Sequence, residues 1–285
     1  MPVDRPAAPM GCKSESGEWR PDAGGASPCA DGWAEFVDVF RSSDRPLAGP
    51  WAELFAPIRR GTVDDLMVVG QIGQSLDGRT ATVSGHSRYV NGPAGLAHLH
   101  RLRALVDAVV VGVGTVVADD PQLTVRRVAG PQPARVVIDP KGRSSLRAKV
   151  FAADGARRLL ITARASRRPP PDGVEVIDLP LSDGRFAPPA VLGALAARGL
   201  RRVLVEGGAE TLSRFLAARC LDRLHVIVAP VILGSGRASL VLPQIETADQ
   251  ALRIPTSVHR IGSDILFDCD LSLHRAPIGQ ARKST

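Results

Sequence analysis

From position 66 onward, short apolar runs alternate with stretches in which apolar residues return every three or four positions. That alternation of two periods is the signature of an α/β domain. Residues 66–72, 108–111, 135–138, 159–162, 174–177, 203–205, 225–231 and 265–269 read as strands. Residues 95–105 read as a helix, with Leu96, Leu99, Leu102 and Leu105 on one side, and residues 189–197 and 211–218 as two more. The stretch 233–255 has no period that assigns it a form, and no internal repeat is present. Residues 1–30 are rich in Pro, Gly, Ser and charge and read as disordered. The pieces 34–40 and 51–55 are amphipathic and are split by Pro46 and Pro50. We expect three parts: an N-terminal extension over 1–65 that packs on the main domain, the domain itself over 66–275, and a flexible tail over 276–285.

Two of the strands end in glycine. Val203-Leu204-Val205-Glu206 runs into Gly207-Gly208 and then into a helix. Such a turn lets backbone come close to a ligand, and the free N–H groups and positive dipole end of the next helix suit an anion. As a chance match, the same turn serves packing alone. Val109-Val110-Val111 runs into Gly112-Val113-Gly114-Thr115 and on to Asp119-Asp120-Pro121. Both glycine turns belong at the carboxyl edge of a parallel sheet, where open α/β sheets bind ligands. Neither is a G-x-G-x-x-G opening a helix, so an ordinary dinucleotide-binding Rossmann unit is poorly supported.

Of the 285 residues, 44% are hydrophobic, enough for a sizeable core. No run approaches the ~20 apolar residues of a membrane-spanning helix. The first residues have no apolar segment of the secretory kind, so we expect a soluble, cytoplasmic protein with no membrane partner. Cys12, Cys29, Cys220 and Cys269 stand apart, which speaks against a disulfide framework and a structural zinc site.

The net charge is +7, nearly all of it arginine spread along the chain. Nucleic-acid binding favours a concentrated basic face with stacking aromatics. Aromatics are only 4% of this chain, so we expect no nucleic-acid partner; a phosphorylated small molecule explains arginine equally well.

Ser75-Leu76-Asp77-Gly78-Arg79 follows the first strand and reads either as a turn or as a loop lining the crevice. Ser84-Gly85-His86-Ser87-Arg88-Tyr89 offers hydroxyls, an aromatic plate and a lone histidine, which is more often structural than catalytic. His98 and His100 cannot share one side of a helix, and no H-E-x-x-H or Cys/His cluster exists, so no metal is expected.

The series Ser75-Leu76-Asp77-Gly78-Arg79, Leu102-Arg103-Ala104, Val111-Gly112-Val113-Gly114-Thr115, Asp119-Asp120-Pro121 with Leu123-Thr124-Val125-Arg126, Arg135-Val136-Val137-Ile138-Asp139, Glu206-Gly207-Gly208 and Ala229-Pro230 resembles the reductase domain of riboflavin-biosynthesis deaminase/reductases. The resemblance covers about residues 66–271. It implies a dihydrofolate-reductase-like α/β fold with a mixed, mostly parallel central sheet flanked by helices. It also implies reduction, with NADPH, of the ribosyl group of an aminopyrimidine ribose phosphate to ribityl. Ser87, Arg103, Leu123, Arg126 and Glu206 match substrate contacts. Gly73, Tyr89, Thr115, Asp119 and the turn Gly208, Ala209, Glu210, Thr211 and Leu212 match cofactor contacts, and Asp119 is the candidate catalytic carboxylate. Arg164, after the strand at 159–162, is the candidate for the cofactor's 2′-phosphate. The family often has lysine where Gln71 stands and alanine where Gln74 stands, and an indole is common where Tyr89 stands. The H-x-E and P-C-x-x-C signatures of the zinc deaminase domain are missing, and the N-terminal segment is too short for such a domain, so we expect a stand-alone reductase. Domains of this type commonly pair through strands near the C-terminus, and the apolar residues 229–233 suit a homodimer interface. Two other functions fit the same residues: a reductase of this fold acting on a pterin or dihydrofolate-like heterocycle, and a nucleotide-binding module without turnover.

Overall fold

The computed structural model describes residues 11–13, 19–21, 32–42, 44–87, 90–163 and 169–279. The expectations for residues 1–30, for Tyr89 and for Arg164 fall wholly or mostly outside these segments. A short antiparallel pair, β1 (Gly11–Lys13) and β2 (Trp19–Pro21), comes first. Helices α1 (Trp33–Ser42) and α2 (Ala52–Phe55) follow.

A nine-stranded sheet forms the middle of the molecule. Its strands are β3 (Met67–Ser75), β5 (Ala108–Gly112), β6 (Ala134–Ile138), β7 (Arg158–Thr162), β8 (Glu175–Asp178), β9 (Arg202–Glu206), β10 (Arg223–Ala229), β12 (Thr256–Ile261) and β13 (Asp264–Asp270). They lie in the order β12-β13-β10-β3-β9-β5-β6-β7-β8. Every pair from β10 to β8 is parallel, and β13 and β12 close the other edge antiparallel. β5 and β6 are buried along their whole length, as parallel strands covered on both faces must be. The two short strands β4 (Arg79–Thr82) and β11 (Gly236–Ala238) pair antiparallel outside the main sheet.

Helices lie on both faces. One face carries α1, α2, α3 (Pro93–Leu105) and α4 (Val113–Asp119), packed on Val69, Val109, Val111 and Leu204. The other carries α5 (Pro188–Ala196) and α6 (Ala209–Ala217), packed on Val68, Val110, Val203 and Val205. Odd and even positions of each strand thus serve opposite layers, as the pleat requires. Pro93 and Pro188 each start a helix at the position where the missing N–H would have had no partner anyway.

The amphipathic pieces near the N-terminus are helical and contribute aromatic side chains to the core. Trp33, Phe36, Phe40, Trp51 and Phe55 are all buried in the layer that covers α3. Phe55 stacks on His98 of α3, with ring centroids 5.6 Å apart. His98 Nε2 in turn lies 2.9 Å from His225 Nδ1, and burial pushes His98 well below the usual imidazole range, so it is neutral.

Sequence and structure differ in several places. β1 and β2 lie in the stretch expected to be disordered. β4 and β11 form where a turn or loop and an unassigned stretch stood. β10 ends at Ala229 rather than 231, because the chain leaves the β3 pairing there. β3 runs on to Ser75, past the expected end at 72, because Gly73, Gln74 and Ser75 still pair with β10. β12 was not anticipated: it is an edge strand whose polar residues Thr256, Ser257 and Arg260 face solvent. α4 begins where a plain turn was expected, directly after Gly112.

Candidate active site

Glu206 ends β9 on the face covered by α3, and Arg103 reaches it from the last turn of that helix. The pair is bidentate, with Nε to Oε1 at 2.8 Å and Nη2 to Oε2 at 2.6 Å. Both side chains are almost wholly buried, at 7% and 5% exposure. Arg103 Nη1 also donates to the Thr124 carbonyl at 3.0 Å. Arg103 therefore spends most of its planar fork inside the protein, fixing a carboxylate and a loop. Each Glu206 oxygen keeps acceptor capacity for a ligand N–H.

Arg126 arrives at the same place from the loop after α4. Its Nη1 donates to the Thr124 hydroxyl at 3.1 Å, so Thr124 links the two arginines through its two oxygens. No carboxylate pairs with Arg126 among the described residues, and the side chain is exposed. Partial burial, with Arg103 and Arg127 nearby, lowers its pKa from the ordinary guanidinium value. The backbone N–H of Arg126 donates to His100 Nδ1 at 3.0 Å. Burial first, then Arg103, Arg126 and Arg127, push His100 down to about 3, so it is neutral around pH 7. The place is thus a pocket of surplus positive charge with one carboxylate already neutralised.

The loop that delivers Arg126 is strained. Asp120 and Leu123 both have left-handed backbones, at φ +40° and +56°. A buried leucine rarely adopts that conformation, and such strain persists only where surroundings enforce it. Here Asp120 accepts from the Lys149 N–H at 2.8 Å, and Leu123 is sealed in the core. The resulting bend turns Thr124 and Arg126 back toward Arg103.

The two glycine turns meet beside this cluster. Gly207 and Gly208 have φ of +71° and +26°, and a Cβ on either would come within 2.9 Å of the Thr115 side chain. A Cβ on Gly112 would lie 2.3 Å from Thr211 Oγ1. β5 and β9 are adjacent, so each turn leans on the threonine of the other. α6 starts at Gly208 with no side-chain cap, leaving the N–H groups of Ala209, Glu210 and Thr211 without a capping partner. Leu212 is buried and holds the helix to the sheet. Asp119 lies one turn past Thr115 on the same side of α4 and is exposed.

Other singled-out residues are placed differently. Above Gly73 the Asn91 carboxamide approaches so closely that a Cβ would lie 1.9 Å from its Oδ1; Asn91 also donates to the Ile227 carbonyl at 3.2 Å. Gly73 is therefore explained by a close approach within the chain. Asn91 was not singled out from the sequence. Ser87 is exposed in the loop after β4, apart from the Arg103 and Arg126 bonds. Asp77 is a clasp: its carboxylate accepts from the Ser75 hydroxyl at 2.6 Å and from the N–H groups of Leu233 and Gly234, which hold it down at about 2. Thr124 and His100 were not chosen from sequence; Thr124 sits inside a quoted motif, and its bridging geometry has no sequence signal. Among the described residues, no group of three or more His, Cys, Asp or Glu could hold a metal ion, and no helix is long and apolar enough to cross a membrane.

A mostly parallel α/β sheet with glycine turns, an uncapped helix start and arginines gathered at one carboxyl edge is the arrangement at which open α/β sheets bind ligands. The comparisons with known proteins narrow this. Residues 67–267, well over half of the chain, match the model of the RibD C-terminal domain. The chain is 34% identical over 199 residues to the riboflavin biosynthesis protein RibD of Aquifex aeolicus, which covers 68% of this chain and 54% of that protein. It is 30% identical over 222 residues to the 2,5-diamino-6-ribosylamino-4(3H)-pyrimidinone 5′-phosphate reductase of Methanothermobacter thermautotrophicus, covering 70% of this chain and 96% of that protein. Among solved structures, a diaminohydroxyphosphoribosylaminopyrimidine deaminase/5-amino-6-(5-phosphoribosylamino)uracil reductase from Thermotoga maritima superposes with a TM-score of 0.62 at 27% identity, covering 77% of this chain and 59% of that one. The chain belongs to the RibD C-terminal domain family. It spans about half the length of the Aquifex relative and nearly all of the archaeal one.

Proposed function

We propose that this chain is an NADPH-dependent reductase that converts the ribosyl group of an aminopyrimidine ribose phosphate, 5-amino-6-ribosylaminouracil 5′-phosphate, to ribityl. The observation that carries the reading is the joining of two arginines through Thr124 beside the paired glycine turns. One part suits the substrate and the other the cofactor, and the family's named members include pyrimidine-phosphate reductases.

The uncapped start of α6 fits a pyrophosphate: no side chain caps its first N–H groups, and Gly208 itself adds no Cβ there. Thr115, Asp119 and the Gly208–Leu212 turn are the residues that hold the cofactor in this reading. When bound, the nicotinamide supplies the hydride that sugar C1′ accepts. The protein's own work is positioning. Ring opening moves the proton of the ribosylamine nitrogen to the ring oxygen and leaves a C=N bond at C1′; after hydride addition the nitrogen takes up one proton. Glu206, held by Arg103, accepts from N–H groups of the heterocycle. Arg126 offers its unpaired donors to the phosphate, with Arg103 behind it. Loss of the reduced-nicotinamide absorbance on mixing with the ribosylaminopyrimidine phosphate is the direct test, and comparison with NADH tests the cofactor preference. A chain that binds NADPH but oxidises it with no pyrimidine, or only with dihydrofolate, is not this enzyme.

The phosphate assignment is tested by a cycle with Arg126→Ala on one axis and the substrate's phosphate on the other. The truncation should lower kcat/KM for the phosphorylated substrate by roughly 1.5–3 kcal/mol, the scale of a charge-assisted hydrogen bond. The loss should nearly vanish with the dephosphorylated substrate. Losses that simply add remove Arg126 from the phosphate site, and a pterin reductase would show no such dependence.

We further propose a homodimer formed through the C-terminal edge. Among the described residues β12 has one side unpaired, with Val258 59% exposed, and Ile232 and Val241, before and after β11, are 73% and 67% exposed. Apolar exposure of this kind, beside an open sheet edge, calls for a cover. Light scattering should return twice the chain mass; a monomer mass across a wide concentration range refutes the dimer.

A further inference from the structure

Residues 121–132 carry Arg126 to the site without belonging to a helix or strand, and no backbone-to-backbone hydrogen bond ties them to another described residue. The N–H and C=O groups of such a stretch still need partners. Side chains supply them. The Gln132 carboxamide takes Val125 on both sides: its Oε1 accepts from the Val125 N–H and its Nε2 donates to the Val125 carbonyl, each at 2.8 Å. A neighbouring antiparallel strand holds a residue by the same pair of bonds; here one amide makes both. Arg103 holds the Thr124 carbonyl on one side, and His100 holds the Arg126 N–H on the other. Four consecutive backbone groups, from the Thr124 carbonyl to the Arg126 N–H, are therefore fixed by three side chains.

The other end of the stretch is held by the N-terminal helix. Trp33 of α1, only 3% exposed, donates its indole N–H to the Ala129 carbonyl at 2.7 Å. Next to it, Gly130 lies so close to α3 that a Cβ would come 2.6 Å from the Ala104 Cβ. The turn after Arg126 is thus seated on α3 and tied to α1. Trp33 lies outside the 67–267 segment that the family model matches, so this tie is added by the part of the chain that precedes the matched domain.

We propose that Gln132 and Trp33 are positioning residues for the substrate's phosphate, holding residues 124–132 in the shape that presents Arg126. The proposal rests on the reading of Arg126 as the phosphate's donor. A loop without these ties has many shapes, and binding must then order it, at a cost taken from the affinity. The phosphate is not the reacting end of the substrate, so that cost falls on KM and spares kcat.

The test is a cycle of Gln132→Met with Arg126→Ala, followed with the phosphorylated and the dephosphorylated substrate. Gln132 is exposed, so its replacement leaves the core untouched. Gln132→Met should raise KM for the phosphorylated substrate about tenfold, with kcat changed less than about twofold and NADPH affinity unchanged. In the Arg126→Ala background the same change should add less than about twofold, because the residue acts through Arg126. Trp33→Phe keeps an aromatic ring in the layer and loses only the indole donor; it should raise KM about threefold in the same pattern. Hydrogen exchange on the wild type needs no variant: the Val125 and Arg126 amides should exchange at least about 100-fold more slowly than free amides. For either variant, an unmoved KM overturns the proposal while the reductase reading stands. So does a rise that is equally large without the phosphate or without Arg126, which would mark a general structural role. Exchange of the two amides at the free rate overturns it as well. If Arg126→Ala leaves the phosphorylated substrate unaffected, the phosphate assignment and this proposal fall together.

Discussion

Arg103→Ala should lower folding stability by about 3–5 kcal/mol, because it strands the Glu206 carboxylate at 5% exposure with no counter-charge. The loss should be read from chemical denaturation at neutral pH. The physical reason is asymmetric: two buried charges that face each other nearly cancel, whereas one alone carries the whole desolvation penalty. Replacing both, as in Arg103→Met with Glu206→Leu, should therefore recover most of the stability while turnover stays lost. That split separates the structural part of the pair from its place in the site. A loss below about 1 kcal/mol for the single variant would mean that water reaches Glu206 and that the pair is not an anchor.

Gly208→Val should abolish tight NADPH binding, with a loss of at least tenfold, about 1.4 kcal/mol, in affinity. Two effects combine. The residue has φ +26°, which a β-branched side chain resists, and its Cβ would come 2.9 Å from Thr115 Oγ1. The branched side chain would also stand over the N–H groups at the start of α6, where an anion must come close. Strain of this kind is worth roughly 1–3 kcal/mol, which a domain of this size tolerates, so circular dichroism should show a folded protein. Unchanged affinity in such a folded variant would move the cofactor away from this turn.

The sequence displays best what is apolar and regular. β5 and β6 carry short Val and Ile runs and are buried along their whole length, and their limits are read to within a residue. The carboxyl end of β3 is harder, because Gly73, Gln74 and Ser75 look like a turn although they pair with β10 through Ser75↔Ala229. Strand ends that line a crevice are polar for the ligand's sake, so the signal that marks a strand fades where function begins. β10 has the same difficulty at its start, where Arg223 is tied bidentately to Asp268 of β13 and also meets Asp270 at 3.3 Å, pairings that make an arginine at home in a sheet. In the site, Arg103, Arg126, Glu206 and the glycine pair are visible in the chain as motifs. Their relation to one another is not. That Arg103 faces inward to Glu206 while Arg126 keeps its donors open depends on the backbone bend at Asp120 and Leu123, and neither residue type announces a left-handed turn.

The segment matched by the family ends at its N-terminal side with Met67, yet the aromatic layer over α3 is built by residues 33–58. A gene fragment trimmed to the matched limits would produce a polypeptide whose α3, the helix carrying His100 and Arg103, has lost its outer cover. Such a fragment belongs with insoluble preparations, whatever its catalytic residues. The same layer is a built-in optical probe. Trp33 and Trp51 meet edge to face at 5.4 Å, and the Arg101 guanidinium sits 4.0 Å from the Trp51 ring. Their shared fluorescence reports on the packing of the helix that supports the arginine cluster.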